Sequence, residues 1–143
     1  MGTYKDLTVW QKSVLLARRV YEISTRFPSD EKFGLVSQMR RCAVSIPSNI
    51  AEGYGREGER EHSHFLFISL GSSNELETQM ILSHVFQYVD EESYQEIMNL
   101  NSEVNKMLSS LIYKLRHPNP QELWLSSAVP QLRSHRYCSR KCC

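Results

Sequence analysis

The sequence has no long hydrophobic run. Its apolar stretches stop at four residues, as in Phe65-Leu66-Phe67-Ile68, far short of the ~20 residues of a membrane span. The opening Met1-Gly2-Thr3-Tyr4-Lys5-Asp6 lacks the basic-then-apolar order of an export signal. Both absences point to a cytoplasmic protein with no membrane partner. Cysteine is scarce where a fold would use it. Of 4 cysteines, Cys138, Cys142 and Cys143 crowd the last six residues and Cys42 stands alone, which excludes the disulfide framework of a small secreted domain. An excess of positive charge is missing too. Residues 1–117 hold 13 Lys+Arg against 15 Asp+Glu, so this stretch is not a nucleic-acid binder by bulk charge. Residues 118–143 reverse the balance with 4 Lys+Arg and 1 Asp+Glu. Internal repeats are absent.

What the chain does have is helical periodicity. With 143 residues, 41% hydrophobic and 23% charged, it suits one soluble domain. The spacing predicts helix 1 over about Lys5–Arg26, with Leu7, Trp10, Val14, Ala17, Tyr21 and Ser24 on one face, widened by Val20. Helix 2 is expected over Asp30–Tyr54, with Ser29 as N-cap and Asp30 and Glu31 at its positive end. Pro47 lies inside it and should kink it or loosen it near Ala43. Gly53 and Gly55 should stop it. Helix 3 is expected over Glu59–Tyr88 and helix 4 after an Asp90 cap. Helix 4 carries a bundle seam of Tyr94, Ile97, Asn101, Val104, Leu108, Leu111 and Leu115; Asn101 either fixes register or lies at the rim. The fold class is therefore all-α, an up-down-up-down antiparallel four-helix bundle over 1–117. A flexible, basic, Cys-containing tail over 118–143 follows, with Leu123-Trp124-Leu125 as its apolar cluster.

Helix 3 is apolar around most of its circumference. Phe65, Leu66, Leu70, Ser73, Leu76, Met80 and His84 share one broad face, while Phe67, Ile68, Leu82, Val85 and Phe86 occupy other sides. A surface helix of a monomeric bundle needs one apolar stripe. The excess predicts packing inside the bundle and against another subunit. Small residues at Ser69, Gly71, Ser72 and Ser73 leave room for a close neighbour.

The chain is organised around Arg40–Arg56. Leu35, Met39, Cys42, Ala43, Ile46 and Ile50 form one apolar face, beside a polar row of Arg41, Ser45, Asn49, Glu52 and Arg56. That row reads as a packed polar seam between helices. Ser45, Ser48 and Asn49 are short enough to bond the backbone near Pro47. Residues Ser45-Ile46-Pro47-Ser48-Asn49-Ile50-Ala51-Glu52-Gly53-Tyr54-Gly55-Arg56 resemble the signature of the bacterial four-helix-bundle family of 23S rRNA intervening-sequence proteins. That family includes the accessory variability determinant (Avd) proteins of diversity-generating retroelements. Gly71-Ser72-Ser73-Asn74-Glu75-Leu76-Glu77 is similar to the family's later block, and Tyr4–Lys12 and Gly34–Arg41 fit as well. The resemblance covers about residues 4–117. It marks Ser45, Pro47, Asn49, Glu52, Gly53, Arg56, Gly71, Ser72, Glu75 and Glu77 as structural signature positions. It implies a homo-oligomer, a pentamer in the Avd-like members, with RNA or DNA and a reverse transcriptase as partners.

Chemistry-bearing patterns are thin. Glu59/His62 and Glu61/His64 repeat the Glu-x-x-His step of carboxylate-bridged di-metal bundles, but on one helix alone. They read as a charged first turn. Glu52, Glu75 and Glu77 have no nucleophile or metal set beside them and read as ion-pair partners of Arg56, Arg40 or Arg41. Gly53-Tyr54-Gly55-Arg56-Glu57-Gly58 lacks the Gly-Lys-Ser/Thr of a phosphate loop. Cys138, Cys142, Cys143 and His135 lack zinc-site spacing. No catalytic residue, metal or cofactor is expected. Candidate nucleic-acid contacts are Lys12, Arg18, Arg19, Arg26, Arg40, Arg41, Arg56 and Arg60, with Arg133, Arg136, Arg140 and Lys141 in the tail. The functional expectation is a non-enzymatic, homo-oligomeric adaptor that contacts nucleic acid. The alternative is a protein-binding scaffold without nucleic-acid affinity.

Overall fold

Four helices run antiparallel in the computed structural model, which describes residues 2–118. They are α1 (Thr8–Ser24), α2 (Leu35–Tyr54), α3 (Glu59–Val85) and α4 (Glu91–Arg116). Packing is cyclic: α2 lies between α1 and α3, and α4 closes the bundle against α3 and α1. The core is one cluster, with Leu16, Val20, Met39, Ile46, Ile50, Leu66, Leu76, Met80, Ile97, Val104 and Leu108 fully buried. The tail expected over 118–143, with its cysteines and Trp124, lies outside the described residues apart from Pro118.

Three helix ends differ from the periodicity. α1 begins at Thr8 because Leu7 is extended, and Tyr4–Asp6 forms a separate 3-10 turn. That turn is held by a capping box, in which the Thr3 N–H donates to Asp6 Oδ2 at 2.7 Å. α2 starts at Leu35 rather than Asp30. Ser29–Glu31 is a 3-10 turn, and Ser29 does not cap the helix. The cap is supplied by Glu31, whose Oε2 accepts the Leu35 N–H at 3.0 Å. α3 ends at Val85 because Gln87 takes a left-handed backbone, φ 61°. The Tyr88 N–H then donates back to the Ser83 carbonyl at 2.9 Å, a Schellman-type closure with Gln in the usual glycine place. This turns Tyr88 onto Phe27, ring centroids 5.6 Å apart, and its hydroxyl donates to Glu31 Oε1 at 3.3 Å.

α4 starts as expected. Asp90 Oδ1 accepts the Ser93 N–H at 2.9 Å, and Oδ2 accepts the Ser93 hydroxyl at 2.9 Å. These bonds, backbone first, hold the Asp90 carboxyl below its ordinary range. A depressed folded pKa stabilises the fold above the unfolded carboxyl range and loses that contribution as pH falls through the folded value. Asp90→Ala should therefore lower Tm by a few degrees at pH 7, with the difference from wild type closing in strong acid. Paired melting curves across pH check this.

The apolar face of α1 is rotated from the expected one. Val9, Ser13, Leu16, Val20, Ile23 and Ser24 are buried, while Val14 and Tyr21 are exposed. The run Val14-Leu15-Leu16-Ala17 offers two competing faces on the helical wheel. Contact with α2 and α4 selects the one centred on Leu16.

Candidate functional site

α2 runs unbroken through Pro47 from Leu35 to Tyr54. Its polar neighbours bond the preceding turn. The Ser48 hydroxyl donates to the Val44 carbonyl at 2.8 Å, and Asn49 Nδ2 donates to the Ser45 carbonyl at 2.8 Å and to Ser45 Oγ at 2.9 Å. The Ser45 and Ser72 hydroxyls meet at 2.9 Å, joining the two signature blocks across α2 and α3. The rest of the expected seam is surface. Arg41, Glu52 and Arg56 are exposed in the chain. Glu52 pairs with Arg56 one turn on, and Arg41 lies 4.0 Å from Glu75. The row lies at the edge of the α2–α3 contact and so points largely to water. Glu77 is half-buried and Gly71 exposed.

The interior polar seam lies one face over, on α3. Ser69 donates to the Ile46 carbonyl at 2.9 Å. Ser73 donates to Asn101 Oδ1 at 2.7 Å, and Asn101 Nδ2 returns a bond to the Ser73 carbonyl at 3.1 Å. Gln79 Nε2 donates to Cys42 Sγ at 3.6 Å. Burial, aided by Glu75, pushes the Cys42 thiol up to about 11, so it stays a neutral thiol at neutral pH. Asn101 is interior, not at the rim. Ser69 and Ser73 admit neighbouring helices of the same bundle rather than a second subunit.

Gly53 does not stop α2; Gly55 is the C-cap. Gly53 is buried, and a Cβ there would lie 3.0 Å from Phe65 Cβ and 3.1 Å from the His62 ring and carbonyl. Its role is close approach of α2 to the start of α3. Gly53→Ala should cost about 1–3 kcal/mol by overpacking, read by urea denaturation. The two Glu-x-x-His steps face apart. His62 is half-buried against Tyr54, and burial lowers its pKa. His64 is exposed beside Phe65. Among the described residues no group of three or more His, Cys, Asp or Glu is placed to hold a metal ion.

The candidate cations are mostly engaged. Lys12 pairs with Glu103, Arg18 with Glu22, Arg19 with Glu22 and Glu96, Arg26 with Asp90 at 3.9 Å, Arg41 with Glu75 and Arg56 with Glu52. The bond from Arg19 holds the Glu96 carboxyl below its usual range. Arg40 donates to Ser24 Oγ at 2.9 Å and stacks over Tyr21 at 4.6 Å. Of the eight, Arg60 and Arg40 have no ion-pair partner among the described residues, and Arg60 also has no hydrogen bond or ring contact there. Arg60 sits at the first turn of α3 between two clefts. One is lined by Arg56, Glu61, His64 and Phe65, the other by Glu59, Ser63, His64, Phe67 and Arg116.

The outer side of α3 is a second face with exposed apolar residues at its two ends and Gly71, Glu75 and Thr78 between them. Ile68, Gly71, Glu75, Thr78, Leu82 and Val85 follow at alternating three- and four-residue steps, all exposed, with Phe86 beside them. Among the described residues a Cβ at Gly71 would meet nothing beyond its own helical turn within 4 Å. Phe67 borders this face and is also exposed, with the Arg116 guanidinium carbon 4.7 Å from its ring centroid. The excess apolar surface expected of α3 is present, and of the four small residues expected to leave room for a neighbour, Gly71 alone is exposed, while Ser69 and Ser73 are buried and Ser72 half-buried.

The sequence profile of the 23S rRNA-intervening sequence protein family matches residues 5–110. The structure is similar to that of a protein of unknown function from the S23 ribosomal protein family of Bacteroides thetaiotaomicron. The two are 29% identical, with a TM-score of 0.69 over 73% of this chain and 98% of that one. No curated protein matches the chain.

Proposed function

The chain belongs to the 23S rRNA-intervening sequence protein family, and from that premise we propose that it is a non-enzymatic, self-associating helical scaffold. The carrying observation is the outer face of α3. Val85 is 66% and Phe86 50% exposed, with Ile68 and Leu82 near 40%. Exposed apolar side chains gathered on one solvent face of a helix, here Leu82, Val85 and Phe86 at one end and Ile68 two turns of helix before Glu75, are surface that a second helix can cover. Gly71, in the middle of a helix where glycine costs about 1 kcal/mol relative to alanine, leaves room for that helix. A second copy is the occupant, and a homopentamer is the expectation that the family resemblance supports.

The adaptor role, with RNA or DNA and a retroelement reverse transcriptase as partners, is the finer proposal. Six of the eight candidate cations are ion-paired within the chain and Arg40 is stacked, so nucleic-acid contact would fall to the end around Arg60. The same pairing favours the alternative of a protein-binding scaffold. Light scattering at low and high salt, with and without a structured RNA, separates these. A salt-resistant oligomer that shifts with RNA only at low salt supports the adaptor, because phosphate contacts are lost as salt rises. An oligomer indifferent to RNA supports the scaffold. A monomer overturns both.

A further inference from the structure

We propose that the cleft between the start of α3 and the end of α4 is a binding site for a phosphate ester. It holds about 400 Å³, is open to solvent on one side, and is large enough for a nucleotide-sized ligand. Four independent features converge on it. First, α3 is 27 residues long, and its N-cap is Gly58, which gives the first-turn N–H groups no side-chain acceptor; that end of a helix favours an anion. Second, Arg60 and Arg116 both line the cleft, and neither has an ion-pair partner among the described residues. Planar guanidinium groups suit the paired oxygens of phosphate. Third, the Arg116 guanidinium carbon lies over the Phe67 ring, 4.7 Å from its centroid, a cation–π contact that holds its charge beside the opening. Fourth, Ser63 lines the same cleft, is only 6% exposed, and its Oγ has no hydrogen-bond partner. A buried hydroxyl without a partner is a donor waiting for an acceptor.

His64 adds a ring nitrogen at the rim, and Glu59 is the one carboxylate on the lining. Glu59 is exposed and belongs to the first turn of α3, so its long side chain can turn to water when an anion enters. Its charge opposes the ligand, which gives the proposal a test of opposite sign. The site is independent of self-association. Phe67 contacts Arg116 and all the lining residues come from one chain, so the test below needs no assembly.

Isothermal titration of the full chain with inorganic phosphate, adenosine 5′-monophosphate and adenosine tests this. Phosphate should bind one per chain, adenosine 5′-monophosphate at least as tightly, and adenosine not measurably. Arg60→Gln and Arg116→Gln should each weaken phosphate by about tenfold. Ser63→Ala should weaken it by about threefold, and Glu59→Gln should tighten it by about threefold. Glu59, Arg60 and Arg116 are exposed at helix ends and Ser63→Ala removes one buried oxygen, and circular dichroism confirms that each variant is folded. Absence of saturable binding overturns the site. So does binding unchanged in the double variant Arg60→Gln/Arg116→Gln, which would place the anion on the other cations of the chain. Adenosine binding as tightly as its monophosphate overturns phosphate recognition.

Discussion

Replacing Leu82 and Val85 by glutamate should leave the bundle folded and abolish its self-association. Both side chains point away from the core and are already 40% and 66% exposed, so within the isolated chain the change is a surface substitution worth no more than about 0.5 kcal/mol. In an assembly closed over the outer face of α3, the same change removes two aliphatic anchors, whose remaining exposed surface is together worth about 2–3 kcal/mol of burial, and sets two carboxylates against an apolar face. A loss of about 3 kcal/mol weakens association by more than about 100-fold, and in a ring every interface suffers it. Sedimentation equilibrium should show the monomer mass with unchanged helical circular dichroism. Gly71→Leu makes the same test by volume. Among the described residues nothing beyond its own helical turn lies within 4 Å of a Cβ at that position, so the monomer accepts leucine and gains helix propensity, while a neighbouring helix seated there is pushed off. An undiminished mass in both variants would remove this face as the interface and turn attention to Val14, Leu15 and Tyr21, the exposed apolar residues of α1.

The architecture was legible because the strongest signals were redundant. The α4 seam of Ile97, Asn101, Val104 and Leu108 keeps three- and four-residue steps and starts at an aspartate whose side chain has one evident use. The Ser45–Arg56 block gave the family as well as the helix. The misreadings share a physical cause. Where a segment offers two apolar faces, periodicity cannot choose between them. Val14-Leu15-Leu16-Ala17 was assigned to the wrong one because the choice belongs to α2 and α4. The polar row of α2 was placed inside for the same reason. Its spacing matches a seam, but the seam that the bundle buries is Ser69, Ser73 and Gln79 on α3. Helix ends failed where a distant contact overrode local preference. Gln87 adopts a glycine-like conformation, and the packing of Tyr88 on Phe27 explains why. The Arg60–Arg116 cleft was half visible. Arg60 was among the candidates, but its juxtaposition with Arg116 needs α3 and α4 to be antiparallel neighbours with their ends in register. Ser63 gave no signal at all, since an unpartnered hydroxyl exists only once its surroundings are built.

Asn101 governs how α3 is turned, and its removal should be the most costly single change in the polar interior. The side chain is 2% exposed and makes two bonds, both to Ser73. Asn101→Ala strips the acceptor from a buried hydroxyl, at about 1–3 kcal/mol, and leaves a void that adds to the loss. A total of about 2–4 kcal/mol corresponds to a fall in Tm of roughly 10–15 °C for a domain of this size. Thermal melts would place Asn101 at the edge of the core instead if the loss were under about 0.5 kcal/mol. The informative partner is the double change Asn101→Leu/Ser73→Ala. It removes both polar groups together, so no buried donor is left stranded, and stability should return most of the way toward wild type. Orientation is another matter. Two residues along a helix are about 200° around its axis, so with Ser73 held inward by Asn101, Gly71 must face outward. Without that pair α3 loses its buried polar link to α4 and keeps those to α2, among them the bonds from Ser69, Ser72 and Gln79, so its rotation is held less firmly. The double variant should therefore regain melting temperature while losing oligomer mass, and light scattering beside calorimetry reads both. Mass retained in full would mean that the packing of Leu66, Leu76 and Met80 alone fixes the rotation of α3, and that Asn101 contributes stability without directing assembly.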